Sequence, residues 1–344
     1  MPDKEMLGDK YEQLCQKLPS FCSEYLQEGL SEKSSLTQIE YAKDLCNFFE
    51  YALSKYPYFD KSQKVSDITL EQFKLITVPD VNKYLRYLKD QKLSESLRAR
   101  RRTSLTMLYN YLVYTQRILE YNPVLGSVKV HVHQKDYVNY LTEEEQTILM
   151  DGITYGTGLS KRALQEHHRY MKRDKAIVFL ILDMGLRLSE LVGINIKDID
   201  LSDHSVAVER KGHNSKDSKL WFSNEAGKLV SEYIEERKNR GDILCGDDPL
   251  FVTLKGTRLA PRSVEQMVDK YVSAVLPEKA SIISVHKLRS SFAMTYYRAP
   301  SVGGNILELQ RKLGHSDIRT TQIYAKACDN EINANRNWKD NGKS

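Results

Sequence analysis

Near the end of this 344-residue chain lies Leu313-Gly-His-Ser-Asp-Ile-Arg-Thr-Thr-Gln-Ile-Tyr324-Ala-Lys326, a sequence that predicts a sharp turn followed by a helix. Gly314 permits the turn, because glycine tolerates backbone conformations that other residues avoid. Ser316 or Asp317 would cap the new helix, since a short side-chain oxygen accepts hydrogen bonds from the first free backbone N–H groups. Tyr324 would then lie about two turns into that helix.

Two upstream stretches place chemically active side chains at helical spacing. His286-Lys-Leu-Arg289 sets a histidine and an arginine three residues apart, on one helical face. Gly185-Leu-Arg187-Leu-Ser-Glu190 begins with a glycine and sets an arginine and a glutamate at the same spacing. Both stretches therefore predict a pair of polar side chains pointing in one direction.

These motifs follow one another as Arg, His-x-x-Arg, Leu-Gly-His and Tyr, with His315 nine residues before Tyr324. The order is similar to that of the tyrosine recombinases, the phage-integrase family, over about residues 140–330, and looks most like the bacterial Xer type. The resemblance implies a site-specific DNA recombinase that cuts and rejoins DNA through a 3′-phosphotyrosine intermediate, as in Xer chromosome-dimer resolution. The site residues that it implies are Arg187, Lys211, His286, Arg289, His315 and the nucleophile Tyr324, with Glu190 in support.

The resemblance also implies the partners and the fold. The partners are double-stranded DNA and further copies of the chain, as a homotetramer on two paired sites, and the need for an accessory protein stays open. The fold class is mainly α with a small β-sheet (α+β). A SAM-like, core-binding helical bundle would come first, followed by a tyrosine-recombinase catalytic domain.

A DNA phosphodiester makes demands that these residue types meet. A tyrosine hydroxyl ordinarily has a pKa of about 10, so the nucleophile needs help to lose its proton. Arg187 and Arg289 stay protonated and would clamp the charge on the two non-bridging oxygens. His315 would donate to the same phosphate, and His286 would assist proton transfer, since imidazole titrates near neutrality. Glu190 would orient an arginine or histidine and would not itself act as a base.

Lys211 lies in the turn between two alternating stretches, 205–210 and 218–222, that predict a β-hairpin. In the family a catalytic lysine precedes a glycine in this hairpin, so the resemblance makes Lys211 the acid that protonates the leaving 5′ oxygen. The alternative is a hairpin lysine in solvent, with Lys216 of the same turn as the next candidate. Because the covalent intermediate conserves the phosphodiester energy, neither ATP nor a metal nor another cofactor is expected.

An arginine run is the main DNA-binding candidate in the first part of the chain. Residues 1–125 predict a helical DNA-binding domain, and the helix from Ser94 begins with Arg98-Ala-Arg100-Arg101-Arg102. Such a run would contact DNA phosphates, which position a duplex without reading its sequence. The alternative is a solvated run of charges.

The remaining boundaries follow from turn and cap signals. Residues 126–140 predict a linker, and a capping box at Thr142 and Glu145 begins the catalytic domain, 141–344. The stretch 249–254 predicts a short strand. A helix begins at Pro261, and two residues at its N-terminus are further candidates for phosphate contact, Arg262 and Ser263.

Composition fits this interpretation and excludes some classes of protein. A hydrophobic content of 41% with 28% charged residues is ordinary for a globular protein, and the net charge of +5 is compatible with nucleic acid. No run approaches about 18 apolar residues, and the N-terminus has no apolar secretory segment, so no membrane association is expected. Five cysteines at irregular spacings indicate reduced thiols in the cytoplasm, and no pair has metal-ligand spacing.

Three other functions stay open at this point. An integrase of a phage or mobile element is the nearest alternative, and a third, arm-binding domain would favour it. A type IB topoisomerase would relax supercoils alone. An inactive DNA-binding relative is the last, although such proteins usually lack one member of the residue set. One departure from the family is Ser290, where a second histidine often follows the arginine.

Overall fold

The computed structural model of the chain describes residues 4–133, 137–210, 218–299 and 301–341, with side chains between residues 7 and 330 of these ranges. The chain divides into two compact units, Met1–Gln134 and Lys135–Ser344. This division lies within residues 126–140, the segment predicted as the linker. The predicted fold class, mainly α with a small antiparallel sheet, is confirmed.

The first unit is a helical bundle whose helices begin at side-chain caps. Ser34 Oγ accepts a hydrogen bond from the Thr37 N–H (3.4 Å), and Ser94 Oγ accepts from Leu97 (3.3 Å). Pro79 lies in the first turn of its helix, where its missing N–H costs nothing. Within residues 4–133 the α-helices are α1 (Lys4–Cys15), α2 (Ser35–Lys55), α3 (Leu70–Lys74), α4 (Val78–Asp90) and α5 (Glu95–Asn110).

The core of this unit lies between α2 and its neighbours. Phe48 and Phe49 of α2 are almost completely buried, and so are Tyr84 of α4 and Leu108 of α5. Burying side chains of this size stabilises the fold by about 1.5–3 kcal/mol each. The apolar face of α2 that the sequence predicts is therefore the face that packs.

The second unit surrounds one buried helix. Ile177 and Ile181 of α8 are completely buried, as expected for a helix that other elements cover, and α8 packs against α6, α10 and α12. The described elements are α6 (Glu143–Tyr155), α7 (Lys161–His167), α8 (Met171–Met184), α9 (Leu188–Val192), β1 (Ile199–Asp200), β2 (Ser205–Val208), β3 (Ser218–Trp221), α10 (Asn224–Asn239), α11 (Pro261–Val275), α12 (Val285–Arg298), α13 (Ile306–Leu313) and α14 (Arg319–Asn341).

The sheet is the predicted hairpin with one short strand added. Its order is β1-β2-β3, all antiparallel, with Val206 opposite Leu220. Both side chains are buried and point into the core of the unit. The sheet thereby fixes the end of β2 relative to α8 and the other core helices.

The strand predicted at 249–254 is wrong. This stretch makes only isolated bridges, one at Pro249 and one at Val252. Its backbone groups bond to scattered partners instead of to one neighbouring strand. The Leu250 N–H donates to the carbonyl of Ile194 (2.9 Å), and the Phe251 carbonyl accepts from Leu259 (3.0 Å). Arg237 Nη1 donates to the carbonyls of Pro249 (2.7 Å) and Leu250 (3.1 Å), and the Tyr233 hydroxyl accepts from the Val252 N–H (3.3 Å). A strand partner is therefore not needed.

Candidate active site

The chain turns sharply at the end of α13, as the sequence predicts. Gly314 has φ +65°, a left-handed conformation that favours glycine. A side chain would also collide with Arg210, whose Nη1 lies 2.6 Å from the position of a Cβ atom. After the turn the Asp317 carboxylate accepts from the backbone N–H of Arg319 (2.9 Å), at the start of α14. Of the two predicted caps, Asp317 supplies this bond.

Arg187 lies in a second turn of the same kind. Gly185 ends α8 with φ +64°, and α9 begins directly after Arg187. The Glu190 carboxylate accepts from the backbone N–H of Arg187 (2.8 Å) and from its Nη1 (2.6 Å). The other terminal nitrogen, Nη2, donates to the carbonyl of Gly314 (2.7 Å). Glu190 thus contacts Arg187, and its role in orienting that arginine for catalysis stays a prediction.

Arg289 joins these two turns from α12. Its side chain is only 3% exposed, with Nη1 donating to the carbonyl of Gly185 (2.6 Å) and Nη2 to that of Leu313 (2.6 Å). Burial first, and then the charge of Arg187, lowers the pKa of Arg289 to about 10. The guanidinium is therefore still charged at neutral pH.

The imidazole of His315 bridges Arg289 and Thr321. Its Nε2 lies 3.2 Å from Arg289 Nη2, and its Nδ1 lies 2.9 Å from Thr321 Oγ1. Because a guanidinium has no acceptor, Nε2 must accept, which puts the proton of the neutral ring on Nδ1. Burial first, and then the charges of Arg289 and Arg187, lowers the pKa of His315 to about 4. Without DNA, His315 is neutral and does not offer Nε2 as a donor.

Four of the predicted catalytic residues line one cleft of about 840 Å³: Arg187, His286, Arg289 and His315. Burial, followed by the charge of the neighbouring Lys287, lowers the pKa of His286. Both imidazoles are thus neutral at pH 7, and both guanidiniums are charged. The cleft is suited to a tetrahedral oxyanion, because it presents fixed cations in a partly desolvated place.

Tyr324 does not line that cleft. Its side chain is only 5% exposed and belongs to an apolar cluster formed with α12, α13 and α14. The buried members around it are Phe292, Ala293, Met294, Leu309, Leu313, Ala327 and Cys328. A phenolate here would interact electrostatically with Arg289, so the two groups are near each other. The Tyr324 side chain thus packs in this cluster, close to an arginine that lines the cleft.

A model of the phage integrase family matches residues 157–331. The chain belongs to the phage integrase family. It is a site-specific tyrosine recombinase, an enzyme that exchanges DNA strands, and the resemblance drawn from the sequence is confirmed. The tyrosine recombinase XerC of Caldanaerobacter subterraneus subsp. tengcongensis is 30% identical over 92% of this chain and 85% of its own. XerS of Lactococcus lactis subsp. cremoris is 28% identical over 95% and 97%.

Solved structures show that the fold is shared. The XerH site-specific recombinase, bound to its difH substrate in a pre-cleavage complex, superposes with a TM-score of 0.61 at 20% identity. The comparison covers 92% of this chain and 90% of that one. The integrase of transposon Tn1549, in complex with transposon right end DNA, gives 0.63 at 18% identity, covering 93% and 98%.

The two candidates on α11 of the recombinase lie at its N-terminus. Arg262 lines the same cleft with a side chain that is 77% exposed, and its Nη1 is 3.2 Å from the Glu265 carboxylate. Ser263 follows it in the first turn, with its backbone N–H bonded to the Ala260 carbonyl (3.0 Å). Both are placed where DNA could meet them, and their contact with phosphate stays a prediction.

The arginine run, Arg98–Arg102, has intramolecular partners. The acids absent from the run itself are supplied by α2, where Asp44 is 3% exposed. The hydrogen bonds run from Arg98 to Leu93 O (3.2 Å), Arg100 to Glu40 (2.7 Å) and Asp44 (3.1 Å), Arg101 to Asn47 (2.5 Å), and Arg102 to Val124 O (2.7 Å). The run therefore has a structural role, and its contact with DNA stays a prediction.

Lys211 and Lys216 lie outside the residues that the structure describes. The acid role of Lys211 therefore stays a prediction. The sequence indicated no role for Arg210, the residue before Lys211. Arg210 donates to the carbonyls of Arg311 (2.9 Å) and Lys312 (2.7 Å), directly beneath the Gly314 turn. No spacing rule could have indicated this, because the partners are about a hundred residues away and are backbone groups.

Two further findings concern ligands and membranes. In the parts of the recombinase that the structure describes, no group of three or more His, Cys, Asp or Glu side chains could hold a metal ion. Within the same residues, no helix has both the length and the apolar character needed to cross a bilayer.

Proposed function

We propose that this recombinase is of the Xer type and cuts DNA by attack of Tyr324 on a phosphodiester. The observation that supports this most directly is a convergence on one turn. Arg289 binds the carbonyl of Leu313, Arg187 binds that of Gly314, and His315 follows. The helix that contains Tyr324 begins four residues after this histidine. The nucleophile and the groups that would stabilise its transition state therefore depend on the same short segment.

The two cleft arginines would stabilise the charge that develops on the non-bridging oxygens. A guanidinium has five N–H donors, and each arginine spends only some of them on the protein. Glu190, which is buried, contacts Arg187 and lies 3.8 Å from Arg289. One carboxylate cannot neutralise two guanidiniums, so the cleft keeps a positive charge for a phosphate.

Phosphate binding would also change His315. An oxyanion in the cleft competes for the Arg289 N–H that His315 Nε2 now accepts. The negative charge of the phosphate raises the pKa of the imidazole. The protonated ring would then donate through Nε2 to a non-bridging oxygen, the role predicted for it.

The reaction balances without a further reactant. The Tyr324 oxygen forms a bond to phosphorus, the bond from phosphorus to the 5′ oxygen breaks, and His286 takes the phenolic proton. Lys211 gives a proton to the departing 5′ oxygen. Reversal by a 5′ hydroxyl of the partner strand rejoins the DNA, which requires neither ATP nor metal.

The biological role that we propose is the resolution of chromosome dimers. The two curated relatives described above bear Xer names and match this chain over most of their own lengths. By analogy, four copies would act on two DNA sites through a Holliday junction. The alternative, integration of a mobile element, has support from fold alone, because the transposon integrase is only 18% identical.

The test is covalent adduct formation on a DNA site with a nick that traps the cut strand. Tyr324→Phe should bind this DNA normally and form no adduct that survives denaturation. Tyr297→Phe is the matched control, because Tyr297 packs against the same apolar cluster. Wild-type adduct should persist in excess EDTA. Adduct formed by Tyr324→Phe would exclude this residue as the nucleophile.

A further inference from the structure

The end of α13 is held by arginines from three separate elements. Four consecutive carbonyls accept hydrogen bonds from Arg187, Arg210 and Arg289, and we call these three residues the arginine trio. Arg210 donates to Arg311 (2.9 Å) and Lys312 (2.7 Å), Arg289 to Leu313 (2.6 Å) and Arg187 to Gly314 (2.7 Å). The sequence contains no motif for this arrangement, because the three arginines are far apart along the chain.

These carbonyls need partners from outside their helix. The last four C=O groups of an α-helix lack intrahelical donors, and the helix dipole makes this end partly negative. Cations are favoured there, and guanidiniums can satisfy two acceptors at once. The trio therefore stabilises the end of α13, and α13 in return fixes the positions of three guanidiniums.

Arg210 differs from the other two members. Arg187 and Arg289 line the cleft, whereas Arg210 does not. Both of its terminal nitrogens are used on carbonyls, and its guanidinium lies against Gly314, with Cζ 2.8 Å from the position of a Cβ atom. Its backbone is two residues beyond β2, which the sheet holds in place.

We propose that Arg210 is a positioning residue for strand cleavage. It fixes the turn at Gly314 relative to the sheet. The turn then places the carbonyls that hold Arg187 and Arg289, and it places His315 through the backbone. This inference rests on the proposed function, in which those three side chains act on the phosphate.

The loss of Arg210 would thus loosen the site without removing a group that touches DNA. The Lys312 carbonyl would lose its donor to water, and the Arg311 carbonyl would keep only the N–H of Gly314 (3.2 Å), which leaves the turn less fixed. Misplacement of a catalytic group by about 1 Å can cost a factor of about 100 in rate. DNA affinity should change little, because Arg210 does not line the cleft and gives both terminal nitrogens to carbonyls.

The experiment compares Arg210→Ala, Arg210→Lys and Arg237→Ala. Arg237 is the matched control, because its Nη1 also donates to two successive carbonyls, at Pro249 (2.7 Å) and Leu250 (3.1 Å). With saturating protein, Arg210→Ala should cleave about 10- to 100-fold more slowly than wild type at unchanged DNA affinity. Arg210→Lys, which keeps one donor group, should recover part of the rate. Arg237→Ala should lower the melting temperature and leave the rate of the bound complex unchanged.

A DNA substrate with sulfur at the bridging 5′ position tests whether Arg210 acts through α13. Sulfur leaves without a proton and should rescue Lys211→Ala, but it should not rescue Arg210→Ala, whose effect is on the non-bridging oxygens. Full rescue of Arg210→Ala by sulfur would overturn the route through α13, because it would show that Arg210 acts on the neighbouring Lys211. A wild-type rate for Arg210→Ala, or an equal loss in Arg237→Ala, would overturn the proposal itself.

Amide hydrogen exchange gives a readout that needs no activity. Residues 311–315 should exchange faster in Arg210→Ala than in wild type and at the wild-type rate in Arg237→Ala. If the wild type formed no covalent adduct, the proposed function would fail. The exchange result would still decide whether Arg210 holds the turn, and unchanged exchange would contradict it.

Discussion

Arginines are concentrated in two parts of this recombinase, and different partners hold them. In the arginine run of the first unit, Arg100 and Arg101 lie against the carboxylates of Glu40 and Asp44. In the arginine trio of the second unit, the partners are mostly backbone carbonyls. Among the described residues, the carboxylate within 4 Å of the trio is that of Glu190, which lies near Arg187 and Arg289.

The choice of partner decides what charge is left over. Arg100 and Arg101 against Glu40 and Asp44 leave a formal charge of zero, and Lys43, which also binds Glu40 (2.6 Å), raises it to +1. Three guanidiniums against one carboxylate leave +2 in the trio. A carbonyl can fix an arginine without neutralising it. Arg100 and Arg101 are therefore paired within the fold, whereas Arg187 and Arg289, held largely by carbonyls in the cleft, stay available to an anion.

The largest difference should appear when one arginine is removed from each cluster. Arg289→Ala should slow cleavage about 10²–10³-fold, since it deletes a charged donor to the transition state. Arg101→Ala should leave the cleavage rate of the bound complex unchanged. Single-turnover assays at saturating protein measure both. Equal losses in the two variants would show that the distinction between the clusters has no catalytic meaning.

The next effect concerns stability and Asp44. Its side chain is 2% exposed and contacts Arg100, Arg101 and the Ser104 hydroxyl. Asp44→Ala should lower the unfolding free energy of the first unit by about 2–4 kcal/mol, because it leaves buried donors unpaired. Glu40→Ala is the control and should cost less than about 1 kcal/mol, since this pair is half exposed.

Circular dichroism during denaturant unfolding would follow the helices of both units in these variants, so a transition that it shows and tryptophan fluorescence does not belongs to the first unit. Tryptophan fluorescence would follow the second, since Trp221 and Trp338 both lie there. A loss for Asp44→Ala no larger than that for Glu40→Ala would mean that the run is not held by this buried acid.

A third comparison tests whether the run also contacts DNA. If Arg100, Arg101 and Arg102 bind phosphates, their replacement by alanine should weaken binding to all sequences alike. The slope of log affinity against log salt should then fall by about 0.9 for each phosphate that the protein no longer neutralises. Asp44→Ala, which keeps all the arginine charges, should leave that slope unchanged. An unchanged slope in the arginine variant would assign the run to the fold alone.

The sequence predicts the local parts of the site well. Left-handed glycines at 185 and 314, the face shared by His286 and Arg289, and the Arg187–Glu190 pairing all follow from spacing and backbone preference within a few residues. These features are local, so the chain itself specifies them.

The features that depend on distant partners could not be predicted. The run itself contains no acid, and the buried acid that pairs with it, Asp44, comes from α2, more than fifty residues earlier. Arg210 pairs with backbone carbonyls, which have no residue identity to recognise. The strand predicted at 249–254 fails for the same reason, since its backbone bonds partly to the side chains of Arg237 and Tyr233 and partly to distant backbone groups such as Ile194.

The smallest effect concerns pH and His315. The ordinary pKa of histidine is about 6.5, and in the folded chain burial and neighbouring arginines lower that of His315 to about 4. Between these values the unfolded chain binds more protons than the folded chain. The unfolding free energy contributed by His315 therefore rises with pH from about 4 to about 6.5, and acidification through this window costs stability.

Because water screens part of this effect, we expect His315 to account for about 1 kcal/mol between pH 6.5 and 4. His315→Asn removes the titrating group and should flatten the curve of unfolding free energy against pH by that amount. Urea unfolding without DNA, followed by tryptophan fluorescence at several pH values, measures the difference between the two proteins. Carboxylates also titrate below pH 5, but both proteins contain the same ones, so their contribution to the unfolding free energy cancels in this difference. Parallel curves for wild type and His315→Asn would mean that burial and the neighbouring arginines do not hold this imidazole neutral.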